Sequence, residues 1–449
     1  MRRIFLALVL ILTVRPLFAD THTAASCSYA DVSAAITAAS AGDTVSVPAG
    51  SATWSSRIFI TTGIYLIGAG IGNTIITNEY DLSPEYYVIT YQPSNPASNE
   101  SFRVSGFTIN CTHTSGGIGI RNFSDSVINK VRIDHNEVHK ETYGRCINID
   151  GNVNGVCDNN TLYSTGVYAV SIYGHNESSW TNRTFTPGTA DNFFVEDNTI
   201  TVLDGGSAGG GGGRYCIRYN TWTFASTEQG CQPWFDAHGN MGAGGNLASM
   251  GAEIYENTIT LGNQTCTMFD IRGGEAIAFN NSTTSTAGVG MQIREEHNDN
   301  LNPPVTASDG EPQYPSDCYF WNNTRNGAKI LTITVVETID YGGEIGIVPR
   351  EDAHYWLEKT SFDGSSGAGV GLLSARPSSG LTVGVGYWAT DTSMLYRATG
   401  ATTWGAYYTP YTYPHPLRGE EGSNVPAKIG AGTTITVGPG AKIVIKEEK

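Results

Sequence analysis

A short alternation of apolar and polar residues that ends at an asparagine recurs along the chain. Its copies are VRIDHNEV (131–138), VCDNNTL (156–162), FVEDNTI (194–200), CIRYNTW (216–222), EIYENTI (253–259), AIAFNNST (276–283) and CYFWNNT (318–324), and FRVSGFTI (102–109) is an earlier copy without the asparagine. The anchors are Asn136, Asn160, Asn198, Asn220, Asn257, Asn281 and Asn323. Their spacings of 24, 38, 22, 37, 24 and 42 residues predict a basic coil of 22 to 24 residues, with insertions in three of the coils.

A second apolar alternation recurs between these copies. It reads IGIRN (118–122), INIDG (147–151), VSIYGH (170–175), FDAHG (235–239), FDIRGG (269–274) and MQIREEH (291–297). The first and third positions are apolar or small, so a period of two sends them inward and sends the second and fourth positions outward to solvent.

Each coil has too little apolar surface to fold alone, so neighbouring coils must cover it, which predicts a stacked all-β solenoid over residues 20–340. The anchoring asparagines have a structural interpretation, because asparagine tolerates left-handed turns and stacked amides form a ladder between coils. An amphipathic run after Asp31 predicts a helix that caps the stack. Its apolar face consists of Val32, Ala35, Ile36 and Ala39.

The segment after this helix carries a family resemblance. GDTVSVPAG (42–50) followed by the strand IYLIGAG (64–70) resembles the entry to bacterial secreted proteins of the pectate-lyase-like superfamily. The resemblance spans roughly residues 27 to 340. It implies a single-stranded right-handed parallel β-helix that acts on a polysaccharide, as the polysaccharide lyases and polygalacturonases of this type do.

The pattern changes in residues 341–449, where we expect the last coils, an aromatic side module and a cap. Residues 385–404 resemble an aromatic repeat of phage tail fibres, and residues 407–419 resemble the ending of many bacterial secreted β-helix proteins. These aromatic side chains have two interpretations: they stack on sugar rings, or they pack against the end of the stack.

Charge and the N-terminus narrow the possible partners. The net charge of −16 does not suit a nucleic-acid-binding protein, which needs a basic surface. Arg2 and Arg3 precede an apolar run from residue 4 to 14, which predicts a signal peptide over residues 1–19 and a secreted, periplasmic or cell-surface protein. That run is too short to span a bilayer, and no later segment is long and apolar enough.

Export permits disulfides, but no two cysteines form a CxxC pair. We expect most cysteines to be small buried residues of the stack. Cys146–Cys157 and Cys216–Cys231 are candidate bridges.

The outward positions of the second alternation carry the candidate chemistry. The second positions are Gly119, Asn148, Ser171, Asp236, Asp270 and Gln292, and the fourth positions are Arg121, Asp150, Tyr173, His238, Arg272 and Arg294. Adjacent coils lie about 4.8 Å apart, so two aspartates stack if their segments occupy consecutive coils. Stacked aspartates repel each other, which favours a functional patch over an ordinary polar surface.

The predicted catalytic residues are Asp236, His238, Asp270, Arg272 and Arg294. The predicted substrate-binding residues are Asn148, Asp150, Tyr173, His175, Gln292 and His297, and the predicted calcium ligands are Glu295 and Glu296. The glycine-rich segment 205–213 lies where this strand is expected between two anchors. It predicts either a floor without side chains beneath a chain-like ligand or a surface loop.

β-Elimination on an acidic, uronic-acid-containing polysaccharide is the first mechanism that these groups suit. It needs a base, here His238, and positive charge on the substrate carboxylate, here Arg272, Arg294 or a Ca²⁺ ion held by acidic side chains. FDIRGGEAIAFNN (269–281) resembles the R-x-G segment of alginate- and chondroitin-type β-helix lyases, which implies a catalytic role for Arg272. Those enzymes use a lysine base one coil earlier, where this chain has His238.

Two alternatives remain open from the sequence. Asp236 and Asp270 on adjacent coils would be about 5 Å apart, a separation suited to retaining glycoside hydrolysis. The segment AHG (237–239) resembles the GHG of polygalacturonases, whose NTD and DD motifs are absent here. The aromatic repeat instead favours a non-catalytic glycan-binding protein, such as an adhesin or a tail-spike-like protein.

Overall fold

Three long sheets of mainly parallel strands run the length of the molecule and form a right-handed parallel β-helix in the computed structural model. The all-β class and the right-handed parallel β-helix predicted above are therefore confirmed. The structure describes residues 19–79, 87–113, 116–141, 144–165, 168–175, 185–203, 205–225, 233–239, 247–262, 266–286, 288–296, 313–336 and 347–419. The predicted signal peptide lies almost wholly outside these residues.

Each full coil contributes one strand to each sheet. Sheet A contains Thr21–Thr23, Thr44–Val47, Tyr65–Gly68, Phe102–Ser105, Ile128–Asp134, Val153–Asp158, Phe193–Glu196, Arg214–Arg218, Gly251–Tyr255, Glu275–Phe279, Cys318–Trp321 and Tyr355–Leu357. Sheet B contains Gly50–Trp54, Thr74–Asn78, Thr108–Cys111, Glu137–Lys140, Thr161–Ser164, Thr199–Val202, Thr221–Phe224, Thr258–Leu261, Ser282–Ser285, Thr324–Arg325 and Ala328–Lys329. Sheet C contains Ile58–Ile60, Tyr87–Tyr91, Gly116–Asn122, Ile147–Gly151, Val170–Tyr173, Ser207–Gly210, Phe235–Ala237, Cys266–Ile271, Val289–Ile293 and Thr334–Val335.

Sheet C is built from the second alternation of the sequence. Ile147 pairs in register with Ile118 on one side and with Val170 on the other, and the same apolar positions align along the sheet. These inward side chains are buried in the main hydrophobic core with the inward side chains of sheets A and B. The period of two therefore fixes the register, because a slip of one residue would expose the whole apolar set.

The seven anchoring asparagines form one continuous ladder between sheets A and B. Their amides donate to the next asparagine's Oδ1 at 2.8–3.1 Å, from Asn136 through to Asn323. Each of the seven is essentially without solvent exposure. The structural interpretation of these residues is confirmed. The left-handed conformation, however, belongs to the residue before each anchor, such as His135 with φ 52° and Tyr219 with φ 58°.

The N-terminal cap is the helix Tyr29–Ala38, which begins two residues before Asp31 because the Ser28 side chain accepts a hydrogen bond from the Asp31 amide at 3.2 Å. Val32 and Ala35 are buried, and Ile36 packs against the same core. Short 3-10 helices in the described part of the chain include Pro96–Ser98, Leu373–Ala375 and Pro416–Arg418.

The glycine-rich segment contains a strand of sheet C, Ser207–Gly210, rather than a surface loop only. Gly209 faces inward, where an added Cβ would lie 2.1 Å from Tyr215, so its missing side chain makes room for that ring. The Tyr215 hydroxyl in turn donates to the Asp236 carbonyl at 3.2 Å. Gly210 is buried as well, which means that this part of the sheet is not an open floor.

The C-terminal part of the chain packs against the outer face of sheet A. It contains a four-stranded sheet of Ala368–Gly371, Gly386–Ala389, Met394–Gly400 and Thr403–Tyr408. Its aromatic rings form a second core with outward residues of sheet A. For example, the centroid of the Trp388 ring lies 5.1 Å from the ring centroids of Trp321 and Phe279. These contacts favour the packing interpretation of the aromatic repeat, although the contact is with the side of the stack and not with its end.

Charged residues at this interface are buried but paired. Arg218 donates to Glu196 at 2.7 Å and to the carbonyls of Tyr411 and Thr412 at 2.7 and 2.8 Å. Arg418 donates to the same glutamate at 2.9 Å. The segment 411–418 is therefore bound to the side of the stack by charge-assisted hydrogen bonds.

The cysteines behave mainly as small buried residues. Cys146, Cys157 and Cys216 are free thiols in the core, and the candidate bridge Cys146–Cys157 is wrong. The partner suggested for Cys216, Cys231, lies outside the described residues. No described helix has the length and hydropathy needed to span a membrane.

Candidate functional site

The outward face of sheet C brings the predicted charged residues together. Asp236 and Asp270 are direct neighbours in register, and Asp270 pairs with Gln292 on the next coil. His238, Arg272 and Arg294 follow the ends of the same strands, two positions after the aspartate or glutamine. The juxtaposition expected from the strand alignment is thus present.

Both aspartates are buried instead of pointing to solvent, which corrects the expectation for these positions. Asp236 accepts hydrogen bonds from the Tyr168 hydroxyl at 2.9 Å and from Arg272 Nε at 2.8 Å, and it also contacts Arg272 Nη2. Asp270 accepts from Arg294 at 2.8 Å and from Gln292 at 3.1 Å. Because each carboxylate is bonded to a guanidinium, the repulsion of the stacked pair is offset.

Arg272 joins three acidic groups. Beyond its two contacts with Asp236, its Nη1 donates to Glu296 Oε1 at 2.6 Å, and its Nε lies 3.8 Å from Asp270. Its side chain is nearly buried. With these partners in place, the guanidinium orients other residues and does not offer a free fork to a ligand.

The ring of His238 is partly exposed to solvent and has the properties of a general base. Its side chain is 14% exposed, and burial lowers its pKa below the usual range although Asp236 acts in the opposite direction. Its Nδ1 faces the Gly239 carbonyl at 3.4 Å and Glu296 at 3.5 Å. Both partners are acceptors, so they favour a proton on Nδ1 and leave the lone pair on Nε2.

Tyr173 and His238 lie on the two coils that flank Gly210, and both side chains border this glycine. Tyr173 pairs in register with Gly210, and a Cβ on Gly210 would lie 3.0 Å from the Tyr173 ring and 3.3 Å from the His238 Cβ. The missing side chain therefore leaves the space that the edge of the Tyr173 ring occupies over Gly210. Burial raises the pKa of Tyr173, which keeps the phenol protonated at neutral pH.

Sequence reasoning missed two neighbours of this pair. Tyr168, which binds Asp236, precedes its strand and has no place in the period-two pattern. Arg145 also precedes a strand, and its guanidinium lies 5.4 Å from the centroid of the Tyr173 ring. No spacing in the sequence indicates either contact, because both depend on how the connecting segments fold over sheet C.

The remaining predicted residues extend the same face. Asn148 is buried, and Asp150 lies 3.6 Å from Arg121. The ring of His175 lies 5.7 Å from that of Phe123. His297 lies outside the described residues.

Some polar atoms on this face are buried without a hydrogen-bond partner among the described residues. Asn148 Oδ1, Ser171 Oγ and Arg294 Nε are buried and make no hydrogen bond within the described part of the chain. Buried polar groups are normally satisfied by protein, water or ligand. The arginine is also 25% exposed, so its side chain borders solvent at the edge of the cluster.

Glu295 and Glu296, the predicted calcium ligands, are both bonded to other parts of the chain. Glu295 accepts a hydrogen bond from the Ile347 amide, and Glu296 is bound by Arg272. No group of three or more His, Cys, Asp or Glu side chains suited to a metal occurs among the described residues. Since Ca²⁺ takes six to eight oxygen ligands, Glu295 and Glu296 do not provide a calcium set together with the other described residues.

Solved structures with a similar course of the chain are known, at low sequence identity. An alginate lyase from Paenibacillus sp. str. FPU-7 is 14% identical with a TM-score of 0.41, over 61% of this chain and 98% of the lyase. The A-module of an Azotobacter vinelandii mannuronan C-5 epimerase is 16% identical with a TM-score of 0.32, over 66% of this chain and 82% of the module. A Yersinia enterocolitica family 28 exopolygalacturonase is 11% identical with a TM-score of 0.31, over 67% of this chain and 76% of the enzyme. No protein-family model and no curated protein matches the sequence.

Proposed function

We propose that this pectate-lyase-like β-helix cleaves a uronic-acid-containing polysaccharide by β-elimination on the outward face of sheet C. The observation that carries the proposal is the pair of His238 and Tyr173 across Gly210. The pKa of the imidazole is lowered and that of the phenol is raised, both by burial, so a neutral base and a protonated acid border the same glycine.

The reaction balances with these two groups. His238 Nε2 removes the proton on the carbon next to the carboxylate, and the electrons form a carbon–carbon double bond. The bond from the adjacent carbon to the glycosidic oxygen breaks, and Tyr173 supplies the proton that this oxygen takes. The products are an unsaturated uronate and a new chain end, and the proton then returns from His238 to Tyr173 through solvent.

Positive charge near this pair supports an acidic substrate. Arg145 borders Tyr173 on one side, and Arg294 lies on the other side beyond Arg272. Partly exposed guanidiniums can bind the carboxylates of successive sugars and stabilise the charge that develops when the proton is removed. They also offset locally the net charge of −16 of the whole chain.

Hydrolysis by Asp236 and Asp270 is less well supported. A hydrolase needs one carboxyl that can protonate the leaving oxygen and a second that can reach water or the sugar. Here both side chains are buried and bonded to arginine. In our proposal they orient Arg272 and Arg294.

The test is incubation with a panel of acidic and neutral polysaccharides, read by ultraviolet absorbance of unsaturated uronates and by reducing ends. We expect both signals on a polyuronate and a loss of about a hundredfold or more in rate for His238→Ala. His139→Ala, a change on sheet B, is the matched control. Reducing ends without absorbance would replace the proposal with hydrolysis, and retention of a glycan without either signal would replace it with binding.

A further inference from the structure

Two exposed phenylalanines on sheet C share one arrangement. Phe59 and Phe123 are 44% and 42% exposed, and each follows an arginine by two positions. The guanidinium of Arg57 lies over the Phe59 ring at 5.0 Å, and that of Arg121 lies over the Phe123 ring at 5.5 Å. The His175 ring lies 5.7 Å from Phe123.

These pairs lie on the same outer face as the proposed active site. Phe59 is in register with Thr90, Thr90 with Gly119, and Gly119 with Asn148, which is the column that leads to Asp236. Phe123 directly follows the strand that contains Gly119. Four and six strand spacings separate Phe123 and Phe59 from the coil of His238, or about 19 and 29 Å.

Each pair presents two different surfaces to a ligand. A phenylalanine ring offers a flat apolar surface, and the neighbouring guanidinium offers donors and positive charge. A uronic acid residue has the complementary parts, since its ring has an apolar C–H face and its carboxylate lies at the edge. A neutral sugar would use only the first surface, and an acidic side chain of a peptide would use only the second.

Arg121 retains capacity for such a ligand. Its contact with Asp150 is 3.6 Å long, beyond the range of a bidentate hydrogen-bonded pair. Its side chain is 16% exposed, so part of the guanidinium borders solvent. An incoming carboxylate can therefore bind this guanidinium at little cost in lost contacts.

We propose that Arg57, Phe59, Arg121, Phe123 and His175, here called the distal ledge, bind uronic acid residues of the same polymer several sugars away from the bond that is cleaved. The inference rests on the proposed function of sheet C and extends it. It makes the protein selective for long acidic chains, because a polymer reaches both the ledge and His238 whereas a short oligosaccharide reaches only one of them.

The experiment compares Phe59→Ala/Phe123→Ala with Leu372→Ala/Val383→Ala, which removes exposed apolar side chains from the C-terminal module. Binding of a long polyuronate is measured by calorimetry in a His238→Ala background, where turnover does not consume the ligand. We expect the ledge variant to bind about tenfold or more weakly than its background and the control to bind equally well. Urea midpoints show whether either variant is destabilised.

A second measurement uses the full enzyme with its active histidine. The ratio of kcat/KM on the polymer to kcat/KM on a trisaccharide is expected to fall about tenfold in the ledge variant and in Arg121→Gln. An unchanged ratio together with unchanged polymer binding would overturn the ledge while the cleavage reaction stands. Polymer binding that depends on the two phenylalanines in a protein without any turnover would overturn the cleavage reaction while the ledge stands.

Discussion

Replacing Arg272 with methionine tests whether this residue organises the site from within. The change keeps the aliphatic stem but removes the guanidinium, which leaves Asp236 buried with only the Tyr168 hydroxyl as a side-chain partner. It also removes the 2.6 Å bond to Glu296. Breaking a buried ion pair by removing one partner costs about 3–5 kcal/mol, so we expect a loss of that size in the free energy of unfolding.

The assay is urea unfolding followed by tryptophan fluorescence, with Asp236→Asn and the double variant completing a double-mutant cycle. The coupling between the two residues is expected to be about 2 kcal/mol or more, because each loses its main partner in the single variants. Lys359→Met is the control, since its ion pair with Glu351 is one-third exposed and should contribute less than about 1 kcal/mol. A loss below about 1 kcal/mol for Arg272→Met, or additive effects in the cycle, would refute the view that Arg272 is held by its neighbours.

Three further predictions concern the asparagine ladder, His415 in the C-terminal segment, and Gly210 between Tyr173 and His238. Asn220→Ala should lower the free energy of unfolding by about 3–5 kcal/mol in urea titrations, because it leaves buried donors and acceptors of the asparagine ladder without partners. Asn129 is exposed, so the control Asn129→Ala should lower it by less than about 0.5 kcal/mol. Burial among arginines lowers the pKa of His415 from 6.5 to about 4, and the neutral ring accepts a hydrogen bond from a backbone amide through Nδ1. The contribution of His415 to the free energy of unfolding is therefore complete above pH 6.5, and about 3 kcal/mol of it is lost as the pH falls toward 4. His415→Gln should remove that part of the pH dependence, and a difference curve with no slope between these pH values would contradict it. Gly210→Ala should lower kcat about tenfold, because the added Cβ pushes the Tyr173 ring away from His238. Gly290→Ala is the control, since its Cβ meets nothing within 4 Å and should leave kcat unchanged. Equal rates in the two variants would count against the proposed pair of His238 and Tyr173.

The coil alignment could be predicted from the sequence because two periodicities agree. The asparagine spacing sets the coil length, and the alternation of two sets which residues face inward. Together they predicted that Asp236 and Asp270 are adjacent. The burial of Asp236 could not be predicted, since it depends on Tyr168, which lies outside the period-two pattern, and on Arg272 turning back to bond the aspartate.

The sequence contains a sign that the outer face of sheet A is covered by another part of the chain, but the period-two alternation alone does not reveal it. Phe279 and Trp321 occupy outward positions, so their segments are apolar on both faces, which is typical of a strand buried on both sides. The C-terminal module supplies the missing cover through Trp388. The aromatic residues that we propose for sugar binding are instead Phe59 and Phe123, which are exposed on sheet C and each lie against an arginine two positions earlier.

The mass of the products formed in heavy-oxygen water tests the proposed chemistry most directly. β-Elimination adds no water across the broken bond, so the two fragments of an oligouronate should together have the mass of the substrate and contain no heavy oxygen from the cleavage step. Their formation should depend on His238 and Tyr173. Fragments that gain one water and carry heavy oxygen at the new chain end would contradict the account and assign the site to hydrolysis.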